Sequence, residues 1–575
     1  MSIKKRVYDV IETDVLVVGG GIGGPFAALY ANQGGARVVL LDKAAVRRSG
    51  SLGVGIYNWH QTLTPEVTLE NVVKAIVRRD RKYIGTRGLL SYNQETVDEN
   101  LVFVGYRDNL ETVHALERWG FKMKWDNDQY YYQKGLDNMH FHGQRLKWGV
   151  ARALQHSQVT VLERTMAVDL LIKDGKIAGA TALNVRTGRF IVCKAKAVVL
   201  ATGKLARIFN PWHYMSRGKF KMLYHYHAGS GDGMAIALKA GAELINMEVG
   251  GIGSGIWGCR LADKLHPSHY PIIPGKIYDG VGRMIKDVDK EGWFDVDELF
   301  ELEREGRGPC FADVTYLPEE WHKSREEFIK DSFPVHLKFI KERGLDTRRD
   351  RFEIAHYRPE FNSAIAGIAY DEDGQTCVDG LYACGDTAGG STFVGAANAA
   401  VFGMRAGKHL AAKVAKMEQV AIEESQVTKQ KEMVFGPINV DRGVEPIEVE
   451  LKIRDIVERY CGPERSEGSI NQGLWRLKAV KDRFLPELKA KDNHELMSAQ
   501  EVRNLFLLSE AYMLSARERK ESGMRTFRLD YPDKANAPWK EAVVVRFEEG
   551  DLKLGRKGMP GLKKEFKEIA ECQST

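Results

Sequence analysis

Residues 15–24 read VLVVGGGIGG, and this stretch decides the fold of the 575-residue chain. Four apolar residues typical of a β-strand are followed by glycines in the spacing G-x-G-x-x-G, at Gly19, Gly21 and Gly24. In this spacing the first glycine permits a tight turn, the second lets a pyrophosphate approach the backbone, and the third lets a helix pack on the strand. Asp42 closes the next apolar run, where a carboxylate binds ribose hydroxyls. The stretch therefore predicts a dinucleotide-binding domain.

A second cofactor-binding segment lies far along the chain, at 378–386, and reads VDGLYACGD. We predict that it is a strand ending at Asp386, followed by a helix over 396–413. A helix N-terminus stabilises negative charge by about 0.3–2 kcal/mol, which suits the charge carried by a reduced flavin ring. We therefore expect FAD, with Asp386 near its ribityl hydroxyls and with Ala396 and Ala397 at its pyrimidine edge.

The composition limits the class of protein. Hydrophobic residues make up 43% and charged residues 28% of the chain, which are ordinary values for a multidomain globular protein. No apolar run is long enough to span a membrane, and residues 1–10 lack a signal core, so a cytoplasmic protein is expected. The seven cysteines form no C-x-x-C, which predicts neither a metal site nor an iron–sulfur cluster within the chain. The net charge of +6 does not by itself indicate nucleic-acid binding.

The two cofactor-binding segments are separated by a stretch of different character. Residues 206–352 are rich in aromatic residues, histidines and turns. The predicted fold class is α/β: a Rossmann-like FAD-binding domain with an inserted α+β capping domain and a C-terminal helical domain. The predicted boundaries are 1–205 and 353–415 for the FAD-binding domain, 206–352 for the capping domain, 416–446 for a linker, 447–535 for the helical domain, and 536–575 for a polar, irregular tail.

Five motifs carry a resemblance to a known family. They are GGGIGG at 19–24, ATG at 201–203, SGDG at 230–233, EGRG at 305–308 and LYACGD at 381–386. With these motifs the chain resembles the flavoprotein subunits of the fumarate reductase and succinate dehydrogenase superfamily. The resemblance implies FAD, a mobile capping domain, and a small-molecule substrate bound between FAD and that domain.

The substrate-site motifs of the superfamily are changed in this chain. No histidine follows the segment 241–248, Asn362 stands where a second histidine is expected, and WFD at 293–295 stands near the place of a proton-delivering arginine. We therefore expect neither fumarate nor succinate as substrate. RSGS at 48–51 also lacks the histidine that tethers FAD in some members, so we expect FAD to be bound non-covalently.

Three segments, at 48–51, 208–213 and 224–229, are more similar to the α subunit of adenylylsulfate reductase. This likeness implies an FAD-dependent oxidoreductase that exchanges electrons with an iron–sulfur or ferredoxin-like partner protein, and we expect an oligomer. One alternative is a stand-alone reductase or dehydrogenase of an unsaturated acid or ring. A more distant alternative, an RNA-modifying flavoprotein, is suggested by the basic stretch 553–567, but no RNA-binding motif supports it.

Candidate site residues follow from these motifs. Arg260 and Trp257 adjoin a glycine-rich stretch and are candidates for holding an anion and stacking on a substrate ring, although an ion pair and a core position are the commoner roles of such residues. The other candidates for the substrate site are His60, His356, Arg358 and Asn362. The predicted cofactor contacts are Gly19, Gly21, Ile22, Gly23, Gly24, Asp42, Lys43, Ser49, Gly50, Ser51, Ala201, Thr202, Gly203, Asp232, Gly385, Asp386, Ala396 and Ala397.

Overall fold

A computed structural model describes most of the chain. The described residues are 8–53, 55–78, 96–125, 127–132, 137–210, 229–252, 258–259, 275–287, 301–302, 304–332, 338, 341–342, 344–355, 359–361, 365–391, 395–522, 526–532 and 540–572.

The described elements follow one another in a mixed α/β order. The strands are β1 (Asp9–Val18), β2 (Val38–Asp42), β3 (Ile56–His60), β4 (Tyr131–Tyr132), β5 (Asn138–Gly143), β6 (Thr160–Glu163), β7 (Thr165–Lys173), β8 (Lys176–Asn184), β9 (Phe190–Leu200), β10 (Leu244–Ile245), β11 (Gly250–Ile252), β12 (Gly258–Cys259), β13 (Lys276–Tyr278), β14 (Met284–Asp287), β15 (Cys310–Asp313), β16 (Phe352–Ala355), β17 (Pro359–Phe361), β18 (Gly367–Ala369), β19 (Leu381–Ala383), β20 (Ala388–Gly389), β21 (Glu464–Arg465), β22 (Phe527–Arg528), β23 (Glu541–Glu548) and β24 (Asp551–Gly558). The helices are α1 (Gly23–Gln33), α2 (Leu69–Arg78), α3 (Glu99–Arg107), α4 (Asn109–Arg118), α5 (Leu146–Gln155), α6 (Asp232–Lys239), α7 (Glu319–Ser332), α8 (Ala396–Lys413), α9 (Glu424–Phe435), α10 (Pro446–Cys461), α11 (Glu467–Arg483), α12 (Asn493–Glu518) and α13 (Lys564–Cys572).

The central sheet confirms the predicted α/β fold class. Its strands lie in the order β6-β2-β1-β9-β8-β7, and β19 also pairs with β9. β1 runs parallel to β2 and to β9, and β19 is parallel to the second half of β9. The carboxyl ends of these parallel strands, at Val18, Asp42, Leu200 and Ala383, therefore meet at one edge of the sheet. Ligands of open α/β sheets bind outside this edge.

Two helices that leave the cofactor-binding segments cross at very short distance. A Cβ placed on Gly403 of α8 would lie 2.2 Å from the carbonyl oxygen of Gly23 in α1, and one on Gly407 would lie 2.6 Å from that of Ala27. Only glycine permits this approach, because any side chain at either position would overlap backbone atoms. The crossing brings the N-terminus of α8 next to the glycine turn that begins α1. The bounds predicted for α8, 396–413, are those of the structure.

Two elements within the range predicted for the capping domain pack with the FAD-binding domain. α6 and β10, which fall in the range 206–352 assigned to the capping domain, pack into the core of the FAD-binding domain, with Ile236 and Leu244 fully buried. The described strands of the insertion form a separate sheet in the order β12-β16-β15-β13-β14. α6 and β10 pack there because residues 232–245 are mainly apolar. The prediction instead relied on the aromatic and histidine content of the whole range 206–352.

The predicted linker and the predicted irregular tail both contain regular structure. Within 416–446, α9 packs Val427 and Phe435 into an apolar cluster with the β7–β9 region. Within 536–575, β23 and β24 form an antiparallel hairpin whose first strand pairs with β10, and α13 stacks the ring of Phe566 on Phe103 at 4.7 Å. Both segments consist mainly of exposed charged residues. The few apolar side chains that each segment buries therefore give only a weak pattern in the sequence.

Membrane-spanning helices are absent from the described part of the chain, because no helix there is both long and apolar enough to cross a bilayer.

We predict that Gly403→Ala destabilises the FAD-binding domain. The new methyl group would overlap the carbonyl of Gly23, and overpacking of this kind costs about 1–3 kcal/mol. Thermal unfolding followed by calorimetry should show a lower Tm than that of the wild-type protein. Gly468→Ala in α11 is the matched control, since Gly468 is exposed and a Cβ there would lie 3.9 Å from its nearest neighbour, the hydroxyl of Ser466. Equal Tm values for wild type and Gly403→Ala would contradict the close crossing of α1 and α8.

Candidate functional site

The glycine turn after β1 has the geometry that its sequence predicts. Gly19 has a φ of +114°, and a Cβ on it would lie 2.2 Å from the carbonyl oxygen of Ala201. A Cβ on Gly24 would lie 1.8 Å from the carbonyl oxygen of Gly19, so this glycine closes the helix onto the turn. A Cβ on Gly21 would meet nothing within 4 Å. The open space beside Gly21 fits the pyrophosphate of FAD.

The segment 49–51 supports this turn from one side. The hydroxyl of Ser49 donates to the carbonyl oxygen of Gly20 at 3.0 Å. Gly50 has a φ of +76°, and a Cβ on it would lie 2.9 Å from the Cα of Gly21. Ser49 and Gly50 therefore fix the shape of the cofactor loop, whereas Ser51 is exposed.

Threonine hydroxyls join the other two cofactor segments. Thr202 Oγ1 lies 3.0 Å from Thr387 Oγ1, and Thr387 Oγ1 also donates to the carbonyl oxygen of Gly203 at 3.0 Å. The backbone N–H of Gly233 donates to Thr202 Oγ1 at 3.1 Å. The half-buried Asp386 lies in the same turn as Thr387. These bonds hold the segments after β9 and β19 together at the carboxyl edge of the sheet.

Ala396 and Ala397 begin α8, and both are buried against α1 and β3. Small residues at these two positions let the first turn of the helix lie close to the glycine loop. The N-terminus of α8 therefore offers backbone N–H groups and the positive end of a helix dipole to a flavin ring. The open space beside Gly21 and this helix terminus together fit FAD.

Two predicted cofactor contacts, Lys43 and Asp232, are bonded to each other. Lys43 Nζ lies 2.8 Å from Asp232 and 2.5 Å from Glu501 of α12, and Asn504 of the same helix donates to Asp232 at 2.9 Å. Burial acts to raise the pKa of Asp232, but the Lys43 ammonium outweighs it and holds this pKa below its usual value. The side chains of Lys43 and Asp232 thus join the FAD-binding domain to the helical domain. Asp42 remains at the loop, where its Oδ1 accepts a bond of 2.6 Å from the N–H of Ala44.

Lys147 is a cofactor-loop residue that sequence reasoning missed. It lies in the first turn of α5 and is 1% exposed. Its ammonium group donates to the carbonyl oxygens of Gly20 and Gly21. Burial lowers the pKa of Lys147 to about 8, although the nearby carboxylate of Asp42 acts to raise it. No motif marks this residue, because one lysine in an amphipathic stretch ordinarily faces solvent.

One side of the small sheet β3-β5-β4 is polar. It consists of Asn58 and His60 on β3 and of Asn138 and His140 on β5, and the register pairs Asn58 with His140 and His60 with Asn138. An amide N–H of Asn58 donates to His60 Nε2 at 2.7 Å. We call these four residues the polar face. His60 was predicted as a site residue, and its three partners were not.

The opposite side of the same sheet is apolar. Trp59, Met139 and Phe141 are fully buried and share a cluster with the first residues of α1 and α8. This packing places the sheet against the N-termini of α1 and α8. Helix α7 of the inserted region lies against β5. The polar face therefore belongs to a sheet that is in contact both with the cofactor-binding elements and with the inserted region.

The remaining predicted substrate-site residues are Trp257, Arg260, His356, Arg358 and Asn362, and they lie outside the described residues. The described strands next to them, β12 and β16, pair with each other at Gly258 and Ala355. Within the described ranges, no group of three or more histidine, cysteine or acidic side chains is arranged to hold a metal ion.

Comparison with known proteins supports FAD as the cofactor. Residues 14–252 match the family described as FAD binding domain, and residues 450–566 match the family described as fumarate reductase flavoprotein C-term. One relative, a subunit of the fumarate reductase (CoM/CoB) of Methanothermobacter marburgensis, is 22% identical over 95% of this chain and 100% of its own length. An L-aspartate oxidase from Vibrio cholerae is 24% identical over 91% of this chain and 96% of the relative.

Solved structures show the same fold. The adenylylsulfate reductase of Archaeoglobus fulgidus superposes with a TM-score of 0.81 at 21% identity, covering 98% of both chains. A quinol-fumarate reductase superposes with a TM-score of 0.77 at 18% identity, covering 97% of this chain and 99% of that one.

The fold and the cofactor site together define an FAD-dependent oxidoreductase. Its matched regions and its fold are similar to those of the fumarate reductase and succinate dehydrogenase flavoproteins, as its motifs predicted.

We predict that the FAD is released by acid. The segment 48–51 reads RSGS and carries no histidine that could tether a flavin ring. Precipitation of the purified protein with trichloroacetic acid should leave the yellow flavin in the supernatant, as measured by its visible absorbance. Flavin that stays with the washed pellet would contradict non-covalent binding.

We predict that Gly21→Val abolishes FAD binding without unfolding the apoprotein. The valine side chain would meet no protein atom near its Cβ, yet it would occupy the space that fits the pyrophosphate. Circular dichroism and Tm of the variant should match those of wild-type apoprotein, while FAD titration should show no saturable binding. Retained FAD affinity would show that the pyrophosphate lies elsewhere.

Proposed function

We propose that the protein is the flavin-bearing subunit of an electron-transfer complex. A small anionic substrate binds between FAD and the capping domain, at the polar face, and electrons pass between FAD and an iron–sulfur partner protein. The observation that best supports this proposal is the polar face, because it presents amide and imidazole groups on a sheet packed against the cofactor-binding helices.

The polar face has the chemistry to hold an anion. An amide N–H of Asn58 donates to His60 Nε2, so the proton of a neutral His60 resides on Nδ1. An imidazole N–H and amide N–H groups are suitable donors to carboxylate, sulfite or sulfate oxygens. An imidazole also titrates near neutral pH, which suits proton transfer to or from the substrate. FAD supplies the electron-pair chemistry when it is bound.

Two relatives support the role of a subunit. The relative from Methanothermobacter marburgensis is named as one subunit of a fumarate reductase, and another, from Haemophilus influenzae, is named as the flavoprotein subunit of a fumarate reductase. The chain aligns with both over more than nine-tenths of its length. The L-aspartate oxidase relatives favour the second candidate, a stand-alone oxidoreductase of an organic acid.

Affinity purification from the source organism tests the choice between the two candidates. A tagged chain, isolated without oxygen, should retain a second protein that contains iron and acid-labile sulfide in fixed ratio to FAD. Reduction of the flavin in that complex should produce an electron paramagnetic resonance signal from the cluster. An iron-free preparation that turns over an organic acid with a diffusible acceptor would favour the stand-alone enzyme.

We predict that His60→Gln weakens anion binding to the oxidised holoprotein. Hydrogen bonds to charged groups contribute about 1.5–3 kcal/mol, which corresponds to roughly a 10- to 100-fold increase in Kd. Titration with sulfite and with malonate, followed by the visible difference spectrum of the flavin, measures this change. His156→Gln is the control, because His156 is exposed on the surface. Equal Kd values for His60→Gln and wild type would place the anion away from the polar face.

A further inference from the structure

Lys147 is a buried cation that the proposed function does not use. Its ammonium group contacts the carbonyl oxygens of Gly20 and Gly21, the two central residues of the glycine turn. We propose that Lys147 is the electrostatic anchor of the FAD pyrophosphate, and that FAD binding is coupled to the uptake of a proton by this side chain. The proposal rests on FAD binding alone and is independent of the substrate and partner proposed above.

The ammonium group of Lys147 and the open space that fits a pyrophosphate both adjoin the same residue, Gly21. Gly21 accepts a hydrogen bond from Lys147 through its carbonyl oxygen, and the space in front of its Cα is open. Gly50 packs against Gly21, since a Cβ on Gly50 would lie 2.9 Å from the Cα of Gly21. A phosphate group next to Gly21 would therefore lie close to the ammonium group.

The charged groups around Lys147 leave it incompletely compensated. Asp42, at the end of β2, is the carboxylate that acts on it, and the oxygen Oδ1 of Asp42 already accepts a bond from Ala44. In the turn after β2, the guanidinium groups of Arg47 and Arg48 lie 4.3 Å and 5.8 Å from the ring centre of Trp148, the residue after Lys147.

Among the described residues, Asp42 is the acid that acts on the charge of Lys147. Arg145 precedes it at the start of α5, and α1, which packs against α5, contributes Tyr30, whose phenol is neutral at ordinary pH. The described ion pairs include none for Lys147. A buried ammonium group without a bonded carboxylate is costly, and a pyrophosphate carries the charge that would compensate it.

The direction of the coupling follows from the two states of the site. In the apoprotein burial favours the neutral amine, and the pKa of Lys147 falls to about 8. Bound pyrophosphate favours the ammonium form, so the pKa of Lys147 is higher in the complex than in the apoprotein. Between these two pKa values the complex carries more protons than the apoprotein. FAD affinity should therefore fall as the pH rises above about 8.

Isothermal titration of apoprotein with FAD tests the proposal directly. Kd should rise by up to about tenfold for each pH unit above about 8, because up to one proton is taken up on binding. Titrations at alkaline pH, in two buffers of different ionisation enthalpy, should report that uptake. The exposed-lysine variant Lys416→Met should behave as wild type.

Two substitutions of Lys147 separate anchoring from a structural role. Lys147→Arg keeps a permanent charge, so its FAD affinity should depend less on pH than that of wild type. Lys147→Met should bind FAD at least about tenfold more weakly at neutral pH, and without the pH dependence. Tm of each apoprotein shows whether the variant is folded. A folded Lys147→Met with wild-type affinity, or with the wild-type pH dependence, would overturn the proposal.

Discussion

Contact between backbone atoms at the glycine turn is the constraint on which the rest of the structure depends. A Cβ on Gly24 would lie 1.8 Å from the carbonyl oxygen of Gly19 and one on Gly403 would lie 2.2 Å from that of Gly23, so no side chain fits at either position. These contacts bring the N-termini of α1 and α8 to the same edge of the central sheet. The positive ends of both helix dipoles then lie at the edge where open α/β sheets bind their ligands.

Buried charges tie the helical domain to that edge. Lys43 follows Asp42 directly and pairs with Glu501, which also bonds Arg207, and Arg207 pairs with Glu450 of α10. These groups alternate in sign, so each buried charge has a bonded partner. Removing one member would leave the charge of its partner buried and unpaired, which strongly destabilises a fold. The position of α10 and α12 is thus linked to β2, the strand that ends at Asp42.

The sequence predicted the elements that local chemistry determines. The glycine turn and α8 with its bounds both follow from residues close together in the chain. Features that depend on distant partners were not predictable. The polar face requires the register between β3 and β5, which are distant in the chain, and the buried state of Lys147 requires α5 to pack on the glycine turn.

The same limit explains the errors at the C-terminus. β23 and β24 carry many exposed charges, and their regular structure depends on β10, which lies far earlier in the chain. Likewise, Lys43 and Asp232 each resemble a cofactor ligand by position, and only the fold shows that they are paired with each other and with α12. Long-range ion pairs and strand pairings of this kind leave no periodic signal in the sequence.

A crystal structure of the FAD-loaded protein with bound sulfite or malonate tests the central claim most directly, because that claim concerns where cofactor and anion lie. We expect the pyrophosphate beside Gly21, the flavin ring at the N-terminus of α8, and the anion within hydrogen-bonding distance of His60 on the polar face. A flavin ring remote from α8, or an anion held by other residues with the polar face unoccupied, would contradict it.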